Sequence, residues 1–252
     1  MSLRAFFLDW RRSGRTADLW ADTAPIRSDL FGIERLEHHA LTLAAAQTVT
    51  RGRPVVVTSL IGRVQDNARV LLAAYRSGAQ ALEAGQPITP AAEWLLDNFH
   101  IVEQQLRQIE DDLPPSYYRH LPKLTEGPFA GYPRVLGLAW AYVAHTDSLL
   151  SETFLLRFVQ AYQTVQPLTI GEIWAVAITL RITLVENMRR LAVQISEADQ
   201  IRRAADALVD QVLAAKPTGR FGTCGSGRAG WRGLVRDHGG AGCQTPARHG
   251  SC

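Results

Sequence analysis

Proline and glycine fall in a few short runs of this chain, and the long intervals between them carry apolar residues at α-helical spacing. The breaks are Arg51-Gly-Arg-Pro54, Gly85-Gln-Pro87 and the stretch 114–134, which holds five prolines and two glycines. Ser28 reads as the N-cap of a first helix with Leu30, Ile33, Leu36, Ala40 and Leu43 on one face. A second helix runs from about Thr58 to Ala84, with Leu60, Val64, Leu71 and Leu82 pointing inward. Thr89-Pro90 opens a third, since threonine caps and proline suits the first helical position; it carries Trp94, Leu95, Phe99, Val102, Leu106 and Ile109. Helices resume at about Val135–Ser148 and Glu152–Gln166. Thr169-Ile-Gly-Glu172 is a capping box for a helix reaching about Ile195, and Ser196-Glu-Ala-Asp199 reads as the start of a last one ending near Ala215. No alternating strand pattern or internal repeat appears. The expected fold is all-α: a bundle or array of about seven helices with a Pro-rich loop. Its expected divisions are an irregular arm 1–27, a helical domain 28–215 and a disordered tail 216–252.

The tail distorts the chain's composition. Of 27 basic and 24 acidic residues, six bases (Lys216, Arg220, Arg228, Arg232, Arg236, Arg248) and one acid (Asp237) lie beyond residue 215, which leaves 21 against 23, a net −2, for residues 1–215. That is no nucleic-acid binder's charge, and no basic patch stands out on the helical part. The same tail holds ten of the twenty glycines and all three cysteines. A zinc site could draw on Cys224, His238, Cys243, His249 and Cys252, but no pair has the short spacing that structural sites use. Out-of-frame translation of a GC-rich gene explains the glycine, the cysteines and the lost periodicity together, and is the expected origin of the tail. A body without cysteine suits a reducing compartment. No run of about 18 apolar residues is present to span a membrane, and Asp9, Arg11 and Arg12 interrupt the apolar N-terminus too early for a signal peptide. The expected location is cytoplasmic.

Residues 1–215 contain no Gly-rich phosphate loop, no nucleophile elbow and no thiol, so any chemistry must use carboxylates and histidines. Asp97 and His100 share a helix face with Glu93 and Glu103 nearby, and Glu34 with His38 offers a second pair. A carboxylate-bridged metal bundle needs more inward ligands than these, so a hydrogen-bonded polar cluster is expected instead. His145 and Asp147 sit at a helix end, where capping and a local ion pair are the expected roles. Arg181, Glu186, Arg189 and Arg190 have the spacing of surface ion pairs rather than a phosphate clamp. Trp94, Trp140 and Trp174 could stack on sugar rings, yet their apolar neighbours favour core burial. Tyr117 and Tyr118 lie in the Pro-rich loop, open to either ligand contact or packing. No catalytic residue, cofactor-binding residue or metal ligand is assigned.

Four stretches bear a family resemblance: Thr89-Pro-Ala-Ala-Glu-Trp-Leu-Leu-Asp-Asn-Phe-His100, Asp112-Leu-Pro-Pro-Ser-Tyr-Tyr-Arg-His-Leu-Pro-Lys123, Gly131-Tyr-Pro-Arg-Val-Leu-Gly-Leu-Ala-Trp140 and Gln166-Pro-Leu-Thr-Ile-Gly-Glu-Ile-Trp-Ala-Val-Ala-Ile-Thr-Leu-Arg181. Over approximately residues 26–215 the chain resembles the N-terminal region of bacterial cyclic β-1,2-glucan synthases. The resemblance implies a piece of a very large inner-membrane protein that transfers glucose from UDP-glucose, with a divalent metal, onto a β-1,2 chain and cyclises it. It also implies that the glucosyltransferase, membrane-spanning and phosphorylase-like modules lie outside this chain and are its partners. The Asp-x-Asp motif of such transferases is absent from residues 1–215, so the piece is expected to be non-catalytic. Two other readings stand beside it: a free-standing helical interaction module, and a metal bundle built on Asp97, His100, Glu34 and His38.

Overall fold

In a computed structural model describing residues 20–50 and 59–214, the chain is all-α, with one two-residue strand pair. The elements in order are α1 (Ile33–Ala46), β1 (Val49–Thr50), α2 (Leu60–Glu83), α3 (Pro90–Asp112), α4 (Pro115–His120), β2 (Lys123–Leu124), α5 (Arg134–Thr146), α6 (Glu152–Val165) and α7 (Ile170–Ala214). The described residues fall in two units divided after Val209; in the second, those described are Asp210–Ala214, all helical. The expected tail 216–252 and most of the expected arm 1–27 lie outside the described residues.

Several helix limits follow from local chemistry. Thr89 caps α3, accepting from the Ala92 amide, with Pro90 in the first turn. At the end of α2, Gly85 takes φ +67°, the Gln86 amide donates to the Ala81 carbonyl and the Gly85 amide to Leu82, which closes a Schellman motif. The Thr169 box forms as expected: the Glu172 amide donates to Thr169 Oγ1 at 3.2 Å, and the Thr169 amide to Glu172 Oε2 at 2.9 Å. Thr169→Ala should therefore cost about 1 kcal/mol, read as a shift of the urea midpoint; no shift would mean that water serves those amides equally well.

Two expected helix starts are corrected. Ser28 caps nothing: its amide donates to the Ala144 carbonyl, and α1 begins five residues later with Gly32 at the N-cap. Ser196 does not open a last helix either. Its hydroxyl donates back to the Ala192 carbonyl, so the chain stays helical through it and α7 runs unbroken for 45 residues. The Pro-rich stretch supplies α4 in its place, so seven helices are present among the described residues, though not the seven expected.

Two apolar clusters share α5 and α7. In one, Leu36 and Ala40 of α1 meet Tyr142 of α5, Phe158 and Tyr162 of α6, and Ala175 and Leu180 of α7. In the other, Leu60, Val64 and Leu71 of α2 and Phe99 and Ile109 of α3 meet Ile182 and Val185 of α7, with Trp20 and Tyr132. The first half of α7 thus buries two sides, which accounts for the apolar residues on both of them. Trp140 lies against both clusters as expected of a core ring, with Trp20 edge-on at 6.0 Å. Leu82, expected inside, is exposed near the end of α2.

Candidate functional site

The helix α7 carries two fully buried carboxylates, Glu172 and Glu186, about 21 Å apart along its axis. Arg134, in the first turn of α5, reaches Glu172 with both prongs, Nε at 2.5 Å and Nη2 at 2.8 Å. Its remaining donors go to Gln166 Oε1 and the Pro167 carbonyl, each at 2.8 Å. Gln166 Nε2 in turn donates to the carbonyls of Ala44 and Gln47, and the Tyr162 hydroxyl donates to Gln47 Oε1. One guanidinium therefore ties together α1, α5, α6 and the start of α7.

Glu186 is held by three guanidinium groups. Arg63 of α2 approaches through Nε and Nη2, both at 2.9 Å, while Arg189 and Arg190 donate at 2.9 and 2.8 Å. The same arginines clamp the incoming chain: Arg63 donates to the Trp20 carbonyl and Arg190 to that of Ala24. Asn187 adds its Oδ1, which accepts from the Ile26 amide at 2.7 Å. The guanidinium of Arg190 lies 5.0 Å from the centre of the Trp140 ring and that of Arg63 5.2 Å from Trp20. Expected as a surface pattern, Glu186, Arg189 and Arg190 form a buried cluster, because Arg63 arrives from another helix. Arg181, by contrast, is half-buried and pairs across to Asp112 on α3.

Burial alone would raise both carboxyls. The Arg134 hydrogen bond and the Thr169 amide overcome it at Glu172, and Arg63, Arg190 and Arg189 do so at Glu186, so both groups titrate below the usual range. A carboxylate so firmly ionised and enclosed has neither the pKa nor the access of a general acid or base. Their chemistry is structural.

Buried histidines form a third cluster. His145 stacks on Phe31, ring centres 3.9 Å apart, and its Nδ1 donates to the Asp29 carbonyl; His39 lies 4.5 Å away, edge-on. Asp147 caps α5 as expected, in a left-handed conformation (φ 51°), but its ion pair is with the distant Arg27 at the surface rather than a local one. Burial lowers the pKa of both histidines; with repulsion from His145 and Arg35 added, His39 falls to about 4. An unfolded histidine titrates near 6.5, so between pH 6.5 and about 4 the unfolded chain binds the extra proton. Stability should thus fall as pH drops through that window, by up to about 3 kcal/mol from His39. His39→Gln should flatten the slope of urea midpoint against pH there; an unchanged slope would acquit the pair.

The other expected candidates are scattered. Asp97, His100, Glu93, Glu103, Glu34 and His38 are partly or wholly exposed, and among the described residues no group of three or more His, Cys, Asp or Glu is placed to hold a metal ion. The metal bundle is not assembled. Tyr117 packs against α7 and donates to the Gly171 carbonyl; the ring of Tyr118 faces the Lys123 ammonium at 3.7 Å. Two tryptophans are corrected: Trp94 is 51% exposed and Trp174 is 73% exposed, beside exposed Ile170 and Ile173. Lys123 was not anticipated. It is buried with no carboxylate paired to it among the described residues, its Nζ donating to the Tyr118 carbonyl, and burial lowers its pKa to about 8.

These features describe a helical region whose inward charges hold its own helices together. No family model matches the chain. It is 38% identical over 189 residues to the cyclic beta-(1,2)-glucan synthase NdvB of Rhizobium meliloti (strain 1021), a match that covers 75% of this chain and 7% of the relative. The resemblance read from the sequence is therefore shown, and it concerns a small part of a much longer protein. Among the described residues no helix is long and apolar enough to cross a membrane.

Proposed function

We propose that this chain is the N-terminal, non-catalytic helical region of a cyclic β-1,2-glucan synthase, lying on the cytoplasmic side and serving as scaffold for the modules that transfer glucose. The observation that carries the reading is the 38% identity to a glucan synthase across three quarters of the chain. The state of the carboxylates supports its non-catalytic part, since Glu172 and Glu186 are enclosed by arginines. Exposed apolar side chains at Ile170, Ile173 and Trp174 favour docking within a larger assembly over life as an isolated enzyme. UDP-glucose and a divalent metal would be bound by other modules. The purified chain, given labelled UDP-glucose and a divalent cation, should incorporate no glucose above a heat-killed control. A full synthase in which this chain replaces the corresponding region should make glucan; incorporation by the chain alone, or a silent chimera, would overturn the reading.

A further inference from the structure

An open groove of about 520 Å³ lies between α2, α3 and the second half of α7. Its volume falls within the range of small-ligand sites. Small side chains of α2 and α3 and the apolar side of α7 line its floor. Trp94 also lines the groove and leaves half its surface uncovered. The charged lining comes from one short stretch of α7, Asp199, Arg202, Arg203 and Asp206 with Gln200 among them, while Ser77, Ser148, Asn187 and Ser196 add smaller polar groups elsewhere. Two carboxylates and two guanidinium groups balance there. An anionic ligand would meet Asp199 and Asp206, and a cationic one Arg202 and Arg203, so the lining favours an uncharged occupant dense in hydroxyls. An aliphatic helix would suit the floor but would take this charged stretch, where Arg202 pairs with Asp199 at 3.4 Å, out of water with nothing to replace the lost hydration. A pyranose ring has an apolar C–H face that lies flat on an indole, and an edge of vicinal hydroxyls that carboxylate, amide and guanidinium groups bind in pairs.

We propose that this groove binds a neutral glucan segment, with Trp94 stacking on a sugar ring and residues 199–206 hydrogen-bonding its hydroxyls. The proposal rests on the reading of the chain as part of a glucan synthase, and has that region hold the glucan the synthase makes. The test is calorimetric titration of the whole chain with short linear β-1,2-linked glucose oligomers, with β-1,4-linked oligomers as the comparison. Saturable binding of the β-1,2 series is expected, weakened about tenfold or more by Trp94→Ala and severalfold by Asp206→Asn. Trp174→Ala, away from the groove, should bind like the parent chain. Both tryptophans are exposed, so all three variants should keep the parent's melting temperature. Absent saturation, an unchanged affinity in Trp94→Ala, or displacement of an apolar dye from the groove by an amphipathic peptide but not by glucan, would overturn the site. The chimeric synthase separates this from the parent reading: normal glucan output without oligomer binding sinks the groove alone, and a silent chimera sinks the reading beneath it.

Discussion

Glu186→Ala should lose about 3–5 kcal/mol, enough to unfold a marginal domain. The magnitude reflects the charges left behind. Arg63, Arg189 and Arg190 would face one another with their shared carboxylate gone, in a place where the parent glutamate has no exposed surface. The loss should be read as the fall in urea midpoint at neutral pH, with the slope checked for two-state unfolding. Adding Arg63→Met should recover part of it, because removing a second charge relieves repulsion; the pair of changes would then cost less than the sum of each. A loss below about 1 kcal/mol would mean that water reaches the cluster and screens it. Since the Glu186 carboxyl titrates below its unfolded value, its contribution is present above the carboxylate range and disappears as pH falls through the lowered folded pKa.

Arg134→Ala should cost a comparable 3–5 kcal/mol, for a different reason. Here the orphan is a carboxylate: Glu172 would keep its Thr169 contacts and lose both guanidinium bonds. Gln166 Oε1 and the Pro167 carbonyl would lose donors as well. Lysine should not restore the wild type, because a single ammonium cannot reproduce the two-pronged geometry. The pH dependence identifies the cause. Without Arg134, burial dominates and Glu172 prefers its proton in the folded state, so the variant gains relative to the parent as pH falls towards the carboxylate range. A gap between variant and parent that stayed constant with pH would point to lost packing rather than a stranded charge.

The contrast between Thr169 and Ser196 shows what the sequence could reveal. Both precede an acidic residue by three positions or fewer and look like helix starts. Thr169 follows Pro167, which breaks the preceding helix, so its hydroxyl meets free amides. Ser196 has no break before it, and the Ala192 carbonyl takes its hydroxyl. Breakers decided most boundaries correctly. Ser28 failed because a tertiary bond to Ala144 holds the chain extended past it. Burial on α7 was harder to read. Ile170, Ile173 and Trp174 are apolar, and so are Ala175, Val176 and Ile178 on the buried sides; apolar residues on several sides leave no single phase to show which of them the protein covers. The charged clusters were illegible for a related reason. Glu186, Arg189 and Arg190 have ordinary surface spacing, and the deciding partner, Arg63, lies 123 positions away. Nothing local marks Arg134 or Lys123 as inward.

A helix of 45 residues without a break is also a rotational ruler. Each residue advances it by about 1.5 Å and turns it by about 100°. One residue inserted between Ala192 and Ile201 would leave both buried clusters untouched, yet swing everything beyond it by more than a quarter turn. Four inserted residues would nearly restore the phase at the cost of about 6 Å of extra reach. On the proposed scaffold reading, the glucan output of a synthase carrying such insertions should recover with angle if α7 orients neighbouring modules, and decline steadily with length if it serves only as a spacer.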